Sequence, residues 1–579
     1  MFDIFPKTLV FSVLCFDLDE TLIDHKHDNN RYIKDLNIKL GEYKNRGTKI
    51  VFASARNKKD ILDAVKRYSL FKPDYLITDL GVNLYETGKT CSKLETLSIS
   101  KKDWNQEKVN ELVLSVEGVS KRKKTRSSTF KLTYYIYDNR DIVVKNIQKK
   151  LKDNNLKSSI SLSGNDSIYI TPRGFSKGKS LEYLIKKLNI DIRDVCVFGD
   201  SEADFSLFKK IKKSVLVANA DDFVKQKVKN TYKNVYISKK SYSQGVLDGI
   251  LFLEKESHKD IYKHFNVCSD LYAKSKFNII KNKVLNQSDN GFVKNKVVNF
   301  LIYSEVLEKQ GFFKDAQGVL RKSRKYLDRI FDLDIRRIFE IQVARNSISL
   351  GELDAGIKIL NSINLNYIDN DFKKYILNNL AYAYRVKGEN NKAERILLKI
   401  KVSDTNTSID LSVLHNLAGL YREKEKYNEA LILYEIILCK TKKDNPFLLA
   451  RLYNNIGFIY RKNGEYSLAE KYYLQSLRLE KKIGSKQLQG RTLNNLGGVN
   501  RMKKSFKKAL IYFSDSVYIR SKIGDNSGLS SSLLNKGIVY FELGDKKNAK
   551  KYLLQSYKIR KQIGSPKLIN EVKEELEKL

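Results

Sequence analysis

Four short stretches of this sequence hold the side chains best suited to chemistry. Asp17-Leu18-Asp19-Glu20-Thr21 follows the first apolar run, Leu9–Leu18, and Ser54 follows the second in Val51-Phe52-Ala53-Ser54-Ala55-Arg56. Lys177 lies in Gly174-Phe175-Ser176-Lys177-Gly178, just before a helical pattern, and Gly199-Asp200-Ser201-Glu202-Ala203-Asp204 follows the run Val195–Phe198. A DxDxT string alone is weak, but its place at the carboxyl end of a strand raises its weight, because open α/β sheets bind ligands there. Phosphoryl transfer needs a nucleophile, neutralisation of the phosphate and a proton donor for the leaving oxygen. Carboxylates, a serine and a lysine at strand ends are side chains of that kind.

Such residues need a sheet to bring them together. Apolar runs at Lys49–Ala53, Tyr75–Thr78, Asp194–Gly199 and Ser214–Ala218 read as buried parallel strands. Amphipathic stretches at Tyr32–Arg46, Lys58–Tyr68 and Lys179–Leu188 read as the helices between them, which predicts a doubly wound α/β sheet. The interval between Ser54 and Lys177 is longer than such a core needs. Strand-like runs at Thr129–Tyr137 and Ser159–Ser163, with helical ones near Gln106–Val116 and Ile142–Leu151, predict an α/β cap over about 83–165.

In this order the motifs resemble the haloacid-dehalogenase-like phosphohydrolases, over about residues 8–250. Ser167-Ile168-Tyr169-Ile170-Thr171-Pro172 and Gly245-Val246 resemble the sucrose-phosphatase-like branch. The resemblance implies a Rossmann-like core, a small phosphorylated metabolite (a sugar phosphate) as substrate, and an aspartyl-phosphate intermediate. It makes Asp17 the nucleophile and Asp19 the acid and base, with Ser54 and Lys177 on the phosphoryl oxygens. Mg²⁺ would be held by Asp17, the backbone carbonyl of Asp19, and Asp200, with Asp204 supporting the metal or orienting Lys177. Ala203 departs from the pattern, since many relatives have Asn there. Arg56 reads equally as a contact to a substrate anion or as a helix cap, and His25 and His27 read as loop surface.

After about residue 256 strand signals end and a repeat begins. Gly457, Gly497 and Gly537 are 40 residues apart, as are Ala469, Ala509 and Ala549, and Ala418–Ala430 and Ala381–Ala393 continue the register backwards. Each unit has a small residue that lets two helices approach, a tyrosine three later to fill the space between units, and an alanine twelve after the small residue. This grammar resembles the tetratricopeptide repeat. The predicted order is a phosphatase region at 1–255, a helical connector at 256–296, about seven repeats at 297–565 and a capping helix at 566–579, an all-α solenoid behind the α/β part. Asn379, Asn416, Asn455, Asn495 and Asn535 recur two residues before the small residue, and Arg385, Arg422, Arg461 and Arg501 four after it. In this repeat family the first helices line the groove, so these residues are expected to hold a protein or peptide, acidic where arginine pairs with it. Bonding of the asparagines between units is the competing reading.

Composition bounds the rest. There are 108 Lys+Arg against 67 Asp+Glu, a formal +41, which makes polyanions worth considering. The excess is spread over both halves rather than gathered on one module, so nucleic acid is not expected as a partner. The run Lys121-Arg122-Lys123-Lys124-Thr125-Arg126 is the densest patch and reads as a solvated loop. Five scattered cysteines make no disulfide framework and no zinc cluster, and no stretch is long and apolar enough to span a membrane. The apolar N-terminus reads as a buried strand rather than a leader, so a reducing, cytoplasmic compartment is expected. A rival reading, a non-catalytic interaction scaffold with a ligand-sensing first half, is favoured only by Ala203.

Overall fold

The computed structural model describes residues 11–25, 30–88, 91–93, 104–121, 130–163, 166–273, 279–280, 282, 293–365, 368, 370–400, 407–441, 445–563 and 566–579. His27, most of the basic run at 121–126 and part of the expected connector lie outside them.

The strands are β1 (Val13–Phe16), β2 (Lys49–Ala53), β3 (Tyr75–Thr78), β4 (Asn83–Thr87), β5 (Cys91–Lys93), β6 (Val119–Lys121), β7 (Leu132–Ile136), β8 (Ser158–Ser163), β9 (Ser167–Pro172), β10 (Val195–Gly199), β11 (Lys213–Leu216) and β12 (Val235–Ile237). An eight-stranded sheet has the order β12-β11-β10-β1-β2-β3-β4-β5, and a four-stranded sheet the order β6-β7-β9-β8. From β12 to β3 neighbours are parallel. The helices of this part are α1 (Asn30–Asn45), α2 (Lys58–Arg67), α3 (Gln106–Leu114), α4 (Arg140–Asp153), α5 (Lys177–Lys187), α6 (Phe205–Phe208), α7 (Asp222–Thr231) and α8 (Tyr242–Ala273). α3 and α4 pack on the small sheet, and the others cover the main sheet with two apolar layers. One gathers Leu14, Phe16, Phe52 and Leu76 with Leu36 and Ile61; the other gathers Val13, Cys15, Val51 and Val197 with Leu181 and Leu184. Strands clad on both faces have no polar face to show, hence the continuous apolar runs.

The insert differs from its expected limits. Asn83–Thr87 and Cys91–Lys93 pair antiparallel along the edge of the main sheet, so 83–93 belongs to the core. The turn at Asp79–Gly81 sends the chain straight back beside β3 before it leaves the sheet. At the other end Ser167–Pro172 pairs with β7 and β8, so the small sheet runs past 165. α8 also runs through the boundary expected at 255 without a break.

Seven helix pairs follow: Val293–Gln310 with Phe313–Arg324, Leu333–Ser349 with Leu353–Ser362, Asn370–Lys387 with Asn390–Lys399, Ser408–Glu423 with Tyr427–Lys440, Pro446–Lys462 with Tyr466–Ile483, Lys486–Met502 with Phe506–Ile523, and Asn526–Glu542 with Lys546–Ile563. A last helix covers Pro566–Glu577. The repeated alanines, from Ala381 and Ala393 to Ala549, are fully buried between the paired helices. Gly484 and Gly524 end their helices at φ 76° and 73°, the left-handed conformation glycine adopts without strain. The repeated tyrosine stacks within its own pair: Tyr460 lies 5.4 Å from Tyr472, centroid to centroid. Asn500, in the tyrosine's place, is buried and bonds Glu470 (3.2 Å). No helix among the described residues is long and apolar enough to cross a membrane.

A Cβ on Gly497 would lie 2.6 Å from the Phe513 ring, inside van der Waals contact. Gly497→Val should therefore cost about 1–3 kcal/mol in urea unfolding. Gly318→Ala, in a helix with nothing within 4 Å of the new Cβ, should be neutral or stabilising by about 0.5–1 kcal/mol.

The helical region is joined to the amino-end rim of the main sheet. Lys294, 3% exposed, pairs with Asp194 just ahead of β10 at 2.9 Å, and Arg46, ahead of β2, pairs with Asp334 at 2.7 Å. Beside them a Cβ on Gly47 (φ 103°) would lie 1.9 Å from the Phe331 carbonyl oxygen, a close approach only glycine permits. The carboxyl-end rim stays clear of this junction.

Candidate active site

Parallel register decides which residues meet. Phe16 is level with Phe52 of β2 and with Phe198 of β10. Asp17, Ser54 and Asp200 thus leave the sheet at one rim, although up to 183 positions separate them in the chain. The Asp17 amide donates to the Phe198 carbonyl (3.0 Å), and the Ser54 amide to that of Ile77 (2.9 Å), pinning both loops. Lys177 opens α5, capped by the Ser176 hydroxyl, which accepts from the Lys179 amide at 3.2 Å. The loop after β1 turns through Glu20 at φ 59°, and the Asn219 amide side chain holds the Glu20 carbonyl at 2.6 Å.

Lys177 is the hub. Its ammonium lies 3.0 Å from Asp17 and 2.8 Å from Asp204, and all three residues are buried. Burial alone would strip Lys177 of its proton, but Asp17 and Asp204 outweigh it and hold the ammonium well above its ordinary range. Asp204 is fully committed: its other oxygen accepts from the amides of Asp200 (3.1 Å) and Ser201 (3.2 Å) and from the Ser201 hydroxyl. That carboxylate ties the start of the loop through three hydrogen bonds.

Asp17 and Asp200 show the opposite balance. Burial, with Asp204 and Asp19 adding and Lys177 opposing, pushes the Asp17 carboxyl up to about 7. Burial, Asp17 and Asp204 raise Asp200 well above the carboxylate range, against a 2.5 Å bond from the Thr21 hydroxyl. Oxygens of Asp17, Asp200 and Asp204 lie within 4.8 Å of one another. One lysine does not neutralise three clustered carboxylates, and a hard cation with oxygen ligands does, so the donor set fits a magnesium ion.

The Asp19 carboxylate stands apart from this cluster. The Arg56 Nε lies 2.9 and 3.1 Å from its two oxygens and Nη2 2.5 Å from one, and the His25 Nε2 lies 2.8 Å away. Burial opposes, but these two partners hold the Asp19 carboxyl well below its usual range. The bond to Asp19 in turn raises His25, against partial burial. The structure thus places all the expected residues at one rim, with the Asp19 side chain turned to Arg56 rather than to the carboxylate cluster. Ser54 is buried and its hydroxyl accepts the Arg56 amide at 3.1 Å.

Arg56, expected at a substrate anion or a helix cap, clamps Asp19 and also reaches the Asp60 carbonyl in the first turn of α2 at 3.4 Å. His25, read as loop surface, is the second arm of that clamp. Sequence reasoning also missed two bridges from the insert. Lys131 bonds the Ala55 carbonyl between Ser54 and Arg56, and Arg140, first residue of α4, pairs with Glu202. Only Arg56 carried a signal, its place two residues after Ser54.

On the repeat helices the asparagines bond mostly across units. Asn416 donates to Asn378 (2.8 Å), Asn455 meets His415 (3.1 Å), Asn495 donates to Asn454 (3.3 Å) and Asn535 to Asn494 (3.1 Å), while Asn379 bonds the Tyr375 carbonyl in its own helix. Arg385 pairs with Glu423 (2.5 Å), Arg501 with Glu542 (3.1 Å), and Arg422 bonds Asn455 (2.7 Å).

Known families agree with this geometry. The family model for sucrose-6F-phosphate phosphohydrolase matches residues 11–254, and tetratricopeptide-repeat models match 413–446, 448–522 and 488–562. A probable sucrose-phosphatase 3b of Arabidopsis thaliana is 26% identical over 303 residues, 51% of this chain and 68% of the relative. A mannosylfructose-phosphate phosphatase of Agrobacterium fabrum is 26% identical over 174 residues, 30% of this chain and 69% of the relative. The crystal structure of the sucrose-phosphatase from Synechocystis, with sucrose and phosphate, superposes with a TM-score of 0.38 at 18% identity, over 42% of this chain and 98% of that one. Residues 11–254 form a haloacid-dehalogenase-type hydrolase domain of the sucrose-phosphatase family, and the C-terminal part carries tetratricopeptide repeats.

Proposed function

We propose that the protein hydrolyses the phosphomonoester of a small phosphorylated sugar and that its repeats bind a protein partner. The observation that carries the catalytic reading is Asp17: a buried carboxylate at the carboxyl-end rim, one side on Lys177 and the other facing Asp200. An Asp17 oxygen attacks phosphorus, the ester P–O bond breaks, and the phosphoryl group rests on Asp17 as an acyl phosphate. Lys177 and the Ser54 hydroxyl hold its non-bridging oxygens. The leaving alkoxide takes a proton from Asp19. Clamped as it is, Asp19 is an acceptor, so it first receives that proton from His25, 2.8 Å away. In the second half Asp19 takes a proton from water, whose oxygen attacks phosphorus and frees Asp17. Asp17, Asp200 and the Asp19 carbonyl would hold Mg²⁺, which when bound neutralises phosphoryl charge. The names of the sucrose-phosphatase and mannosylfructose-phosphate phosphatase relatives support the sugar class.

A phosphate-release panel of sucrose phosphate, mannosylfructose phosphate and hexose phosphates tests this. Release from at least one sugar phosphate with Mg²⁺ is expected, with loss of activity and a lower Tm in EDTA. Turnover of an aryl phosphate with none of the sugar phosphates would reject the sugar class.

A further inference from the structure

The first helices of the repeat pairs place two recurrent positions on one face. One lies six residues after the repeated asparagine and holds Arg385, Arg422, Arg461 and Arg501. The other lies four before it and holds Arg451 and Arg491 in two successive units only. What faces the first position decides its charge balance. Arg385 and Arg501 each find a glutamate on the next first helix, Glu423 and Glu542. The same place holds Lys462 opposite Arg422 and Met502 opposite Arg461.

Among the described residues the middle of the array is therefore rich in cations and poor in counter-charges. The Arg422 and Arg461 guanidinium groups both lie over the Phe458 ring, at 5.1 and 5.2 Å. Arg451 meets the buried His415 at 3.3 Å. Among the described residues Arg451 and Arg461 have no carboxylate partner, Arg491 has the buried Glu480 near it but no ion pair, and Arg422 only shares Glu423 (3.4 Å) with Arg385. The nearby Glu305 and Glu308 are taken by Arg345, at 2.7 and 3.4 Å. Burial first, then Arg451, Arg385, Arg422 and Arg491, hold His415 well below its ordinary value. Burial, Arg491 and Arg385 bring Arg451 down to about 10. Like charges crowded in this way cost free energy that an anion recovers.

We propose that Arg422, Arg451, Arg461 and Arg491 form a binding strip for an extended acidic peptide of a partner protein. The four cations come from three successive first helices, Ser408–Glu423, Pro446–Lys462 and Lys486–Met502, so the ligand has to span three repeats. A chain with several carboxylates does this, and a single small anion does not. Guanidinium groups on part-exposed or exposed side chains offer it bidentate hydrogen bonds. The assignment rests on the reading that the repeats bind a protein.

The probe is fluorescein-labelled octaglutamate, followed by anisotropy with the full chain, beside a neutral octaglutamine. Octaglutamate should bind and release with added salt. Arg461→Ala with Arg491→Ala should weaken it about tenfold or more, the scale of one or two lost charge-assisted hydrogen bonds. Lys507→Ala with Lys550→Ala, exposed residues on second helices, should leave binding unchanged. Equal weakening in both double variants would assign binding to bulk charge and overturn the strip. Competition by inorganic phosphate at the concentration of peptide carboxylates would overturn the extended ligand. If octaglutamine binds equally, the arginine assignment fails while peptide binding stands; if neither peptide binds, the protein-binding reading itself fails. Aryl-phosphate hydrolysis by the same preparations reports the catalytic reading separately.

Discussion

Asp17→Asn abolishes phosphate release, by a factor on the order of 10⁴ or more, since an amide oxygen does not replace a carboxylate nucleophile. The loss is not one of folding. The Asp17 carboxyl is buried and pushed up to about 7, so its ionisation opposes the folded state. A carboxyl raised from the usual range contributes most at low pH and loses that contribution as pH rises towards 7. The neutral isostere removes this penalty, and Lys177 keeps Asp204 at 2.8 Å. At pH 8, without metal, the variant should unfold at the same temperature as the native chain or higher. Steady-state phosphate release and a thermal melt on the same preparation check both halves. Equal release by the two proteins would remove Asp17 from the nucleophile's role and leave the ligand-sensing scaffold standing.

Lys177→Met has the second large effect, and it reaches stability as well as rate. Lys177 is 2% exposed and the sole cation bonded to both Asp17 and Asp204 among the described residues. Breaking a buried pair by removing one partner costs about 3–5 kcal/mol, because the remaining charge is stranded. In this variant Asp17 resists ionisation further, so the deficit is small near pH 5 and grows towards pH 8. Urea unfolding at the two pH values measures it. Adding Asp204→Asn should recover much of the stability at pH 8 but none of the activity, because the phosphoryl contact is still missing. A deficit independent of pH would show that packing, not charge, explains the lysine.

The motifs were legible because each is local. A run apolar on every position needs cover on both faces, and polar residues just past its end must lie at a sheet rim. The repeats were legible because small residues recur at a fixed spacing wherever helices must touch, as at Gly497 against Phe513. Charge partnerships were less legible. Arg56 was visible two residues after Ser54, yet nothing in its neighbourhood tells that it faces Asp19, 37 positions away. The edge strand Asn83–Thr87 was read as insert because an antiparallel return has the same alternating pattern in either sheet.

By itself the sequence determined the kind of chemistry, the order of an α/β part and a helical repeat, and the residues that bear charge at the rim. These follow from composition and period, which a chain carries before it folds. Only the tertiary structure decided which charges neutralise one another. It set Lys177 between Asp17 and Asp204, turned Asp19 to Arg56 and His25, spent most of the asparagines on bonds between units, and left Arg451 and Arg461 without carboxylate partners among the described residues. Pairing depends on distances of a few ångströms between residues far apart in sequence, and the electrostatic energy of a buried group is fixed by those distances and by the water it has lost.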